Sequence, residues 1–212
     1  MRPVHELILL LVVLTDFWVL GTTRLSSMIR ATAIQGMLLA ALPLALFPVL
    51  SVHIVALALG TLLVKAFLLP RFLSRAIREA SVRREIEPLV GFTLSVILGA
   101  AAVALAFGIA RHLALPGLAS DMLVPVALST VIIGLLVLTT RNKALTQVVG
   151  YLILENGIYV FGLSQALRVP FLVEVGVLLD IFAGVFIMGI VVFHINREFD
   201  SLDSARLTEL KD

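Results

Sequence analysis

Four ionisable residues interrupt otherwise apolar runs of this chain: Asp16, Lys65, Glu155 and Asp180. A charge at bilayer depth costs at least ~2.5–3.5 kcal/mol and is held where it faces protein or water, so such groups point to ion or proton handling. Their depths follow from a helical rise of about 1.5 Å per residue. Glu155 lies about 18 Å below the outer end of its run at Leu167, Asp180 about 15 Å below Pro170, and Lys65 about 18 Å below His53. Asp16 is roughly as deep, so the four read as a lateral row near the midplane. Glu155 and Asp180 are the best pair, because the link around Arg168 and Val169 is too short for anything but adjacent antiparallel helices. At helical spacing Gln147, Tyr151 and Tyr159 share a stripe with Glu155, and Asn156 sits beside it. Gly176 and Gly184 flank Asp180 by one turn each and leave a groove for a helix or water.

Each site has a plainer alternative. Asp16 lacks a polar stripe, and its plainer role is simply to pair with a neighbour or with another subunit. Lys65 is four residues from Leu69, close enough to snorkel to the inner surface. Glu155 and Asp180 can form a static inter-helix hydrogen bond. Gln35 and Glu174 read as packing or assembly features. His5, His53, His112 and His194 show no ligand spacing, and with no cysteine in the chain neither a metal site nor a cofactor is expected.

The elements that must position these groups are membrane helices. Of 212 residues 60% are hydrophobic and 14% charged, against about 45–50% and about 25% in soluble domains. Seven runs emerge at about 4–22, 31–49, 52–69, 89–110, 122–140, 144–167 and 170–193. The first reads as a span rather than a cleaved signal, since Glu6 and Asp16 interrupt it and no small-residue cleavage site follows. The expected fold is thus an all-α integral membrane protein of seven transmembrane helices. It divides into a three-helix region (1–70), a cytoplasmic charged loop (71–88), a fourth helix with an outer loop (89–121), a three-helix module (122–193) and a cytoplasmic tail (194–212).

Orientation follows from the cations. Arg24, Arg30, Arg71, Arg75, Arg78, Arg83, Arg84, Arg141, Lys143, Arg197, Arg206 and Lys211 fall on one side, and Arg2, Arg111 and Arg168 on the other. The positive-inside rule then places the amino terminus outside and the carboxy terminus in the cytoplasm. The net charge of +2 marks membrane faces and does not point to nucleic acid. In the 71–87 stretch Phe72, Ala76, Ile77 and Ala80 recur at helical spacing, which fits either an amphipathic surface helix or a solvated connector. In the fourth run two small-residue stripes, Gly91/Ser95/Gly99 and Ala100/Ala104/Gly108, and in the sixth run Gly150, read as close helix packing.

From about Val124 onward the chain resembles the small three-helix subunit of respiratory complex I and of multisubunit cation/proton antiporters. Thr140-Arg141-Asn142 at a helix start, Gly150, the buried acids Glu155 and Asp180, Gly184 and a basic exit near Arg197 carry that resemblance. The whole chain is similar to component E of hydrogenase 4, a membrane-arm subunit of group 4 membrane-bound nickel–iron hydrogenases. The strings that carry it are Gly150-Tyr151, Leu154-Glu155-Asn156-Gly157, Val173-Glu174-Val175-Gly176, Asp180-Ile181-Phe182-Ala183, and Lys65 ahead of Leu68-Leu69-Pro70. In the shorter subunits the first acid directly follows a Gly-Leu pair and the second is a glutamate. Here Glu155 lies five residues after Gly150, one turn or about 5.4 Å deeper, and the second acid is Asp180.

The resemblance implies a non-catalytic membrane subunit of the prokaryotic cytoplasmic membrane. Its partners would be antiporter-like subunits and a redox module with nickel–iron and iron–sulfur centres, and it would contribute a proton or coupled-ion path through Glu155, Asp180, Lys65 and Asp16. A subunit of a cation/proton antiporter without a redox arm, and a scaffold with no ion path, are the alternatives.

Overall fold

The computed structural model describes residues 2–47, 51–79, 89–113 and 120–165, with further helical positions at 182, 184–187 and 189. The helices are α1 (Arg2–Gly21), α2 (Leu25–Leu46), α3 (Val52–Thr61), a π-helical segment (Leu62–Leu68), α4 (Leu69–Glu79), α5 (Phe92–His112), α6 (Leu123–Thr140) and α7 (Ala144–Gln165). α3, the π segment and α4 run on as one rod, so that among the described residues six helical rods are long and apolar enough to cross a membrane. Continuous helix is what hydrocarbon demands, since each backbone N–H and C=O must find its partner within its own segment. The expected seventh span at 170–193 falls almost entirely outside the described residues, as do Asp180 and Gly176.

The three-residue links between α1 and α2 and between α6 and α7 make each of these pairs antiparallel. α7 packs against α6 over most of its length, α1 and α2 close the bundle on that pair, and α5 lies against α6 and α1. One end of the bundle carries Arg24, Arg30, Arg71, Arg75, Arg78, Arg141 and Lys143, and the other carries His5, His53, Arg111 and His112; they are the arginine end and the histidine end below.

Two local expectations change. The helix does not stop where the charged stretch begins: α4 carries it on to Glu79, because Leu69, Leu73 and Ala76 continue a buried apolar stripe while Arg71, Arg75 and Arg78 face out. Of the expected loop at 71–88, the first part is therefore amphipathic helix, and 80–88 lie outside the described residues. In α5 one of the two small-residue stripes packs, and only in part, since Gly91 is exposed with nothing within 4 Å of an added Cβ. Ser95, Gly99, Ala102 and Ala106 are buried, whereas Ala100, Ala104 and Gly108 are exposed and a Cβ on Gly108 would meet nothing within 4 Å. Small-residue spacing marks a helix face without marking which way that face turns.

Arg141 closes the arginine end. Its side chain is 1% exposed, donates from Nη2 to the Leu20 carbonyl at 3.1 Å, and lies 4.8 Å from the centre of the Phe92 ring. Leu20 belongs to the last turn of α1, where carbonyls have no intrahelical donor and the helix dipole favours a cation. The Leu89 N–H donates to the Thr140 carbonyl at 3.0 Å and ties the entry of α5 to the same corner. Arg141→Met is expected to lower the thermal stability of the detergent-solubilised chain by about 1–3 kcal/mol. Arg141→Lys should recover only part of it, because an ammonium lacks the planar fork.

Candidate functional site

Two apolar clusters fill the bundle. The one toward the arginine end contains Val19, Leu20, Met28, Leu73, Ile133, Val149 and Ile153. The one toward the histidine end contains Leu9, Val12, Leu39, Leu42, Val126, Val160 and Leu163. Between them each inner rod contributes polar side chains to one layer: Asp16 from α1, Gln35 from α2, Thr61 and Lys65 from the third rod, Thr130 from α6, and Glu155 and Asn156 from α7, all buried. Asp16 and Glu155 are 0% exposed and Lys65 is 4% exposed.

Hydrogen bonds run through this layer without a break. Lys65 Nζ pairs with Glu155 Oε2 and donates to Asn156 Oδ1 at 3.1 Å. Asn156 Nδ2 donates to Gln35 Oε1 at 2.8 Å, and Gln35 Nε2 donates to Asp16 Oδ1 at 2.7 Å. The other Asp16 oxygen, Oδ2, accepts from the Thr130 hydroxyl at 2.8 Å. Every amide in the series accepts from the lysine side and donates toward Asp16, so the bond dipoles align from cation to anion and reinforce one another. The Tyr159 ring lies one turn along α7 from Glu155, 5.5 Å from Lys65 Nζ, and the Tyr159 hydroxyl accepts from Thr61 at 3.0 Å.

Lys65 comes to the layer on the π segment, a wider turn that often marks a functional position in a helix. What lets that turn come close is Gly36. A Cβ there would sit 2.7 Å from the Lys65 carbonyl carbon and 2.9 Å from the Ala66 nitrogen, so α2 can touch the π segment only through a residue without a side chain. Gln35 and Gly36 thus act together: one bridges the two charged groups, the next admits the backbone that carries one of them.

The chain is 33% identical over 208 residues to the uncharacterized protein Rv0085 of Mycobacterium tuberculosis, covering 94% of this chain and 92% of that one. It is 31% identical over 150 residues to hydrogenase-4 component E of Escherichia coli strain K12, covering 69% of this chain and 68% of the relative. The chain belongs to the hydrogenase-4 component E family. No family model matches it, and no solved structure does.

Three of the four row residues, Asp16, Lys65 and Glu155, meet in one network, and the fourth, Asp180, lies outside the described residues. Asn156 and Tyr159 also join it. Gln147 Nε2 donates to the Arg141 carbonyl at 2.9 Å, and Gln147 and Tyr151 both line an apolar cleft with Leu138, Val148, Phe182 and Phe186. They share a helix edge with Glu155 but lie nearer the arginine end. Gly150 packs against α6, where its Cβ would be 2.5 Å from the Leu138 nitrogen; Gly184 has only an ordinary 3.8 Å neighbour, Leu69 Cδ2.

The sequence hides several members of the layer. Gln35, which reads as a packing residue, is the bridge between Asp16 and Asn156, while Thr61, Thr130 and Gly36 carry no marking of their own. A neutral polar residue in the middle of a span is the available signal, and only Gln35 and Asn156 give it strongly. Gln35→Leu removes a donor from Asp16 and an acceptor from Asn156. It is expected to cost about 1–3 kcal/mol for each buried group it strands, measurable as a lowered unfolding midpoint. Gln35→Glu should differ from it by keeping an acceptor for Asn156.

Proposed function

We propose that this chain is a membrane-arm subunit of an energy-converting hydrogenase complex of the prokaryotic cytoplasmic membrane, and that it carries one section of a proton path. Lys65 and Glu155, in direct contact in a buried layer midway through the bundle, are the observation that supports this reading. An ammonium and a carboxylate in contact can exchange a proton, whereas a carboxamide neither gains nor loses one readily. Lys65 and Glu155 are accordingly the exchanging groups, with Asp180 as the next acid and water between them. Asp16 acts at the far end of the Asn156–Gln35 bridge as a countercharge: it feels the state of Lys65 through aligned dipoles without receiving its proton.

The family supports the wider assignment. The relative named hydrogenase-4 component E supports membership in a hydrogenase complex with a separate nickel–iron and iron–sulfur module, and the resemblance of the carboxy-terminal half to the complex I and antiporter small subunit supports antiporter-like neighbours. The crowding of arginines at one end of the bundle supports a seven-span topology with the amino terminus outside and the carboxy terminus in the cytoplasm. The pairing of Lys65 with Glu155 and Asn156 within the layer also suits a static scaffold. The readings separate in membrane vesicles bearing the assembled complex. Glu155→Gln is expected to reduce proton translocation about tenfold or more while the complex still assembles, whereas Gln147→Leu leaves translocation near its original rate. Full translocation by the Glu155→Gln complex would overturn the relay.

A further inference from the structure

At the arginine end, between α2 and the rod formed by the π segment and α4, lies an open cleft of about 280 Å³. Arg30 stands on its α2 wall and Arg71 on its α4 wall, with Ser74 on the same side as Arg71 and Ala33, Ala66 and Phe67 between them. Both arginines are exposed. No acidic residue lines the cleft, and among the described residues neither arginine pairs with a carboxylate. A pair of guanidinium groups facing each other across a gap attracts an anion, and their planar forks suit phosphate oxygens. From the cleft toward the middle of the bundle the outer surface turns wholly apolar: Phe67 and Leu63 on the third rod and Ile34 and Met37 on α2 are all exposed. The surface is thus cationic where a headgroup phosphate would lie and apolar where acyl chains would run.

We propose that this cleft binds one anionic glycerophospholipid, its phosphate held between Arg30 and Arg71 and its acyl chains lying along Phe67, Leu63 and Ile34. Basic pockets between helices at the positive face of a membrane protein are suited to acidic headgroups. The occupant is a lipid and not a soluble anion because the exposed apolar residues that continue from the cleft, Phe67, Leu63 and Ile34, lie within candidate spans. Ala66, the floor of the cleft, follows Lys65 in the π segment. A bound lipid therefore braces the turn that holds Lys65 against α2. The binding site itself does not depend on the proton path, and loss of translocation in Glu155→Gln neither supports nor weakens it.

The test uses the full-length chain in neutral detergent, titrated with phosphatidylglycerol, phosphatidylcholine or inorganic phosphate and read by native mass spectrometry as lipid bound per chain. Phosphatidylglycerol should bind one per chain in preference to phosphatidylcholine, and inorganic phosphate should not displace it. The double variant R30Q/R71Q should bind about thirtyfold more weakly. Ala33→Phe fills the cleft, keeps both charges and should lose binding as well, which decides the matter should the arginine variant fail to fold. The control R24Q/K143Q, with two cations removed elsewhere at the same end, should stay within about twofold of the original affinity. The site is overturned by equal binding of the two lipids, by displacement with inorganic phosphate, by retained affinity in R30Q/R71Q or Ala33→Phe, or by an equal loss in the control.

Discussion

Replacing Lys65 by methionine is expected to destabilise the detergent-solubilised chain by about 3–5 kcal/mol, because the change removes the cation paired with a fully buried Glu155. It also takes the donor from Asn156 Oδ1 and so breaks the series of bonds that ends on Asp16. Removing both charges should act in the opposite direction. A buried ion pair exchanged for apolar residues of similar volume is often neutral or stabilising by about 1–4 kcal/mol, since neither ion then has to be desolvated. Lys65→Met combined with Glu155→Leu is therefore expected to recover most of the loss, and a thermal melt of the two variants beside the parent chain measures the difference. The same double variant separates proton relay from scaffold. If the pair only holds helices together, a complex containing the double variant should translocate protons at the parent rate. If it is a relay, the complex should assemble and fail to translocate, since methionine and leucine have no proton to exchange. A double variant that melts as low as Lys65→Met alone would show instead that the layer depends on these two side chains for more than their mutual charge.

Gly134→Leu should have the other large effect. The Gly134 Cβ would fall 2.6 Å from the Leu154 Cα and 2.7 Å from its Cβ. On the facing helix, a Cβ on Gly157 would lie 2.7 Å from the Val131 nitrogen and 2.8 Å from the Ala127 carbonyl oxygen, and Gly150 meets the backbone of Leu138. Glycines on both helices thus bring α6 and α7 into backbone contact, the arrangement by which membrane helices gain packing without a hydrophobic drive between them. A leucine cannot be absorbed there by rotating a neighbour, because the obstacle is main chain. The expected cost is about 3 kcal/mol or more, at or above the upper end of ordinary overpacking. The separated helices would also pull Glu155 and Asn156 on α7 from their partners on other rods. Gly108→Leu, in a helix face with no atom near the added Cβ, is the matched control and should leave the melting temperature close to that of the parent. An equal fall for both variants would mean that glycine matters here through backbone conformation and not through close approach.

The helices themselves were legible because membrane insertion is decided by sums. Sixty per cent apolar residues in runs of about twenty leave no other architecture open. The third rod shows where that reasoning gives out: apolar composition ends near Pro70, yet helix continues to Glu79, since three apolar residues at helical spacing are enough to bury one face of a charged segment. The α5 stripes show the same limit from the other side, with one small-residue face packed and its twin exposed.

The charged members of the site were readable for an energetic reason. Asp16, Lys65 and Glu155 each stand out in an apolar run because burying a charge is so costly that it implies a compensating partner. Sequence alone therefore determined that this is a helical membrane protein, that its cations crowd to one side, and that a few ionisable groups lie deep between its helices. Tertiary structure decided who meets whom. Gln35 and Thr130 are cheap enough in a helix to leave hardly any trace in hydropathy, yet they complete the Asp16 site; Gly36 admits the π turn of Lys65 by what it lacks; and Gln147 and Tyr151, on the edge of α7 that leads to Glu155, turn to another cleft. Depth along a helix follows from counting residues at a fixed rise. The direction a residue faces among several neighbouring helices depends on how those helices pack, and that is settled only when glycines, side-chain volumes and hydrogen bonds from all of them are satisfied together.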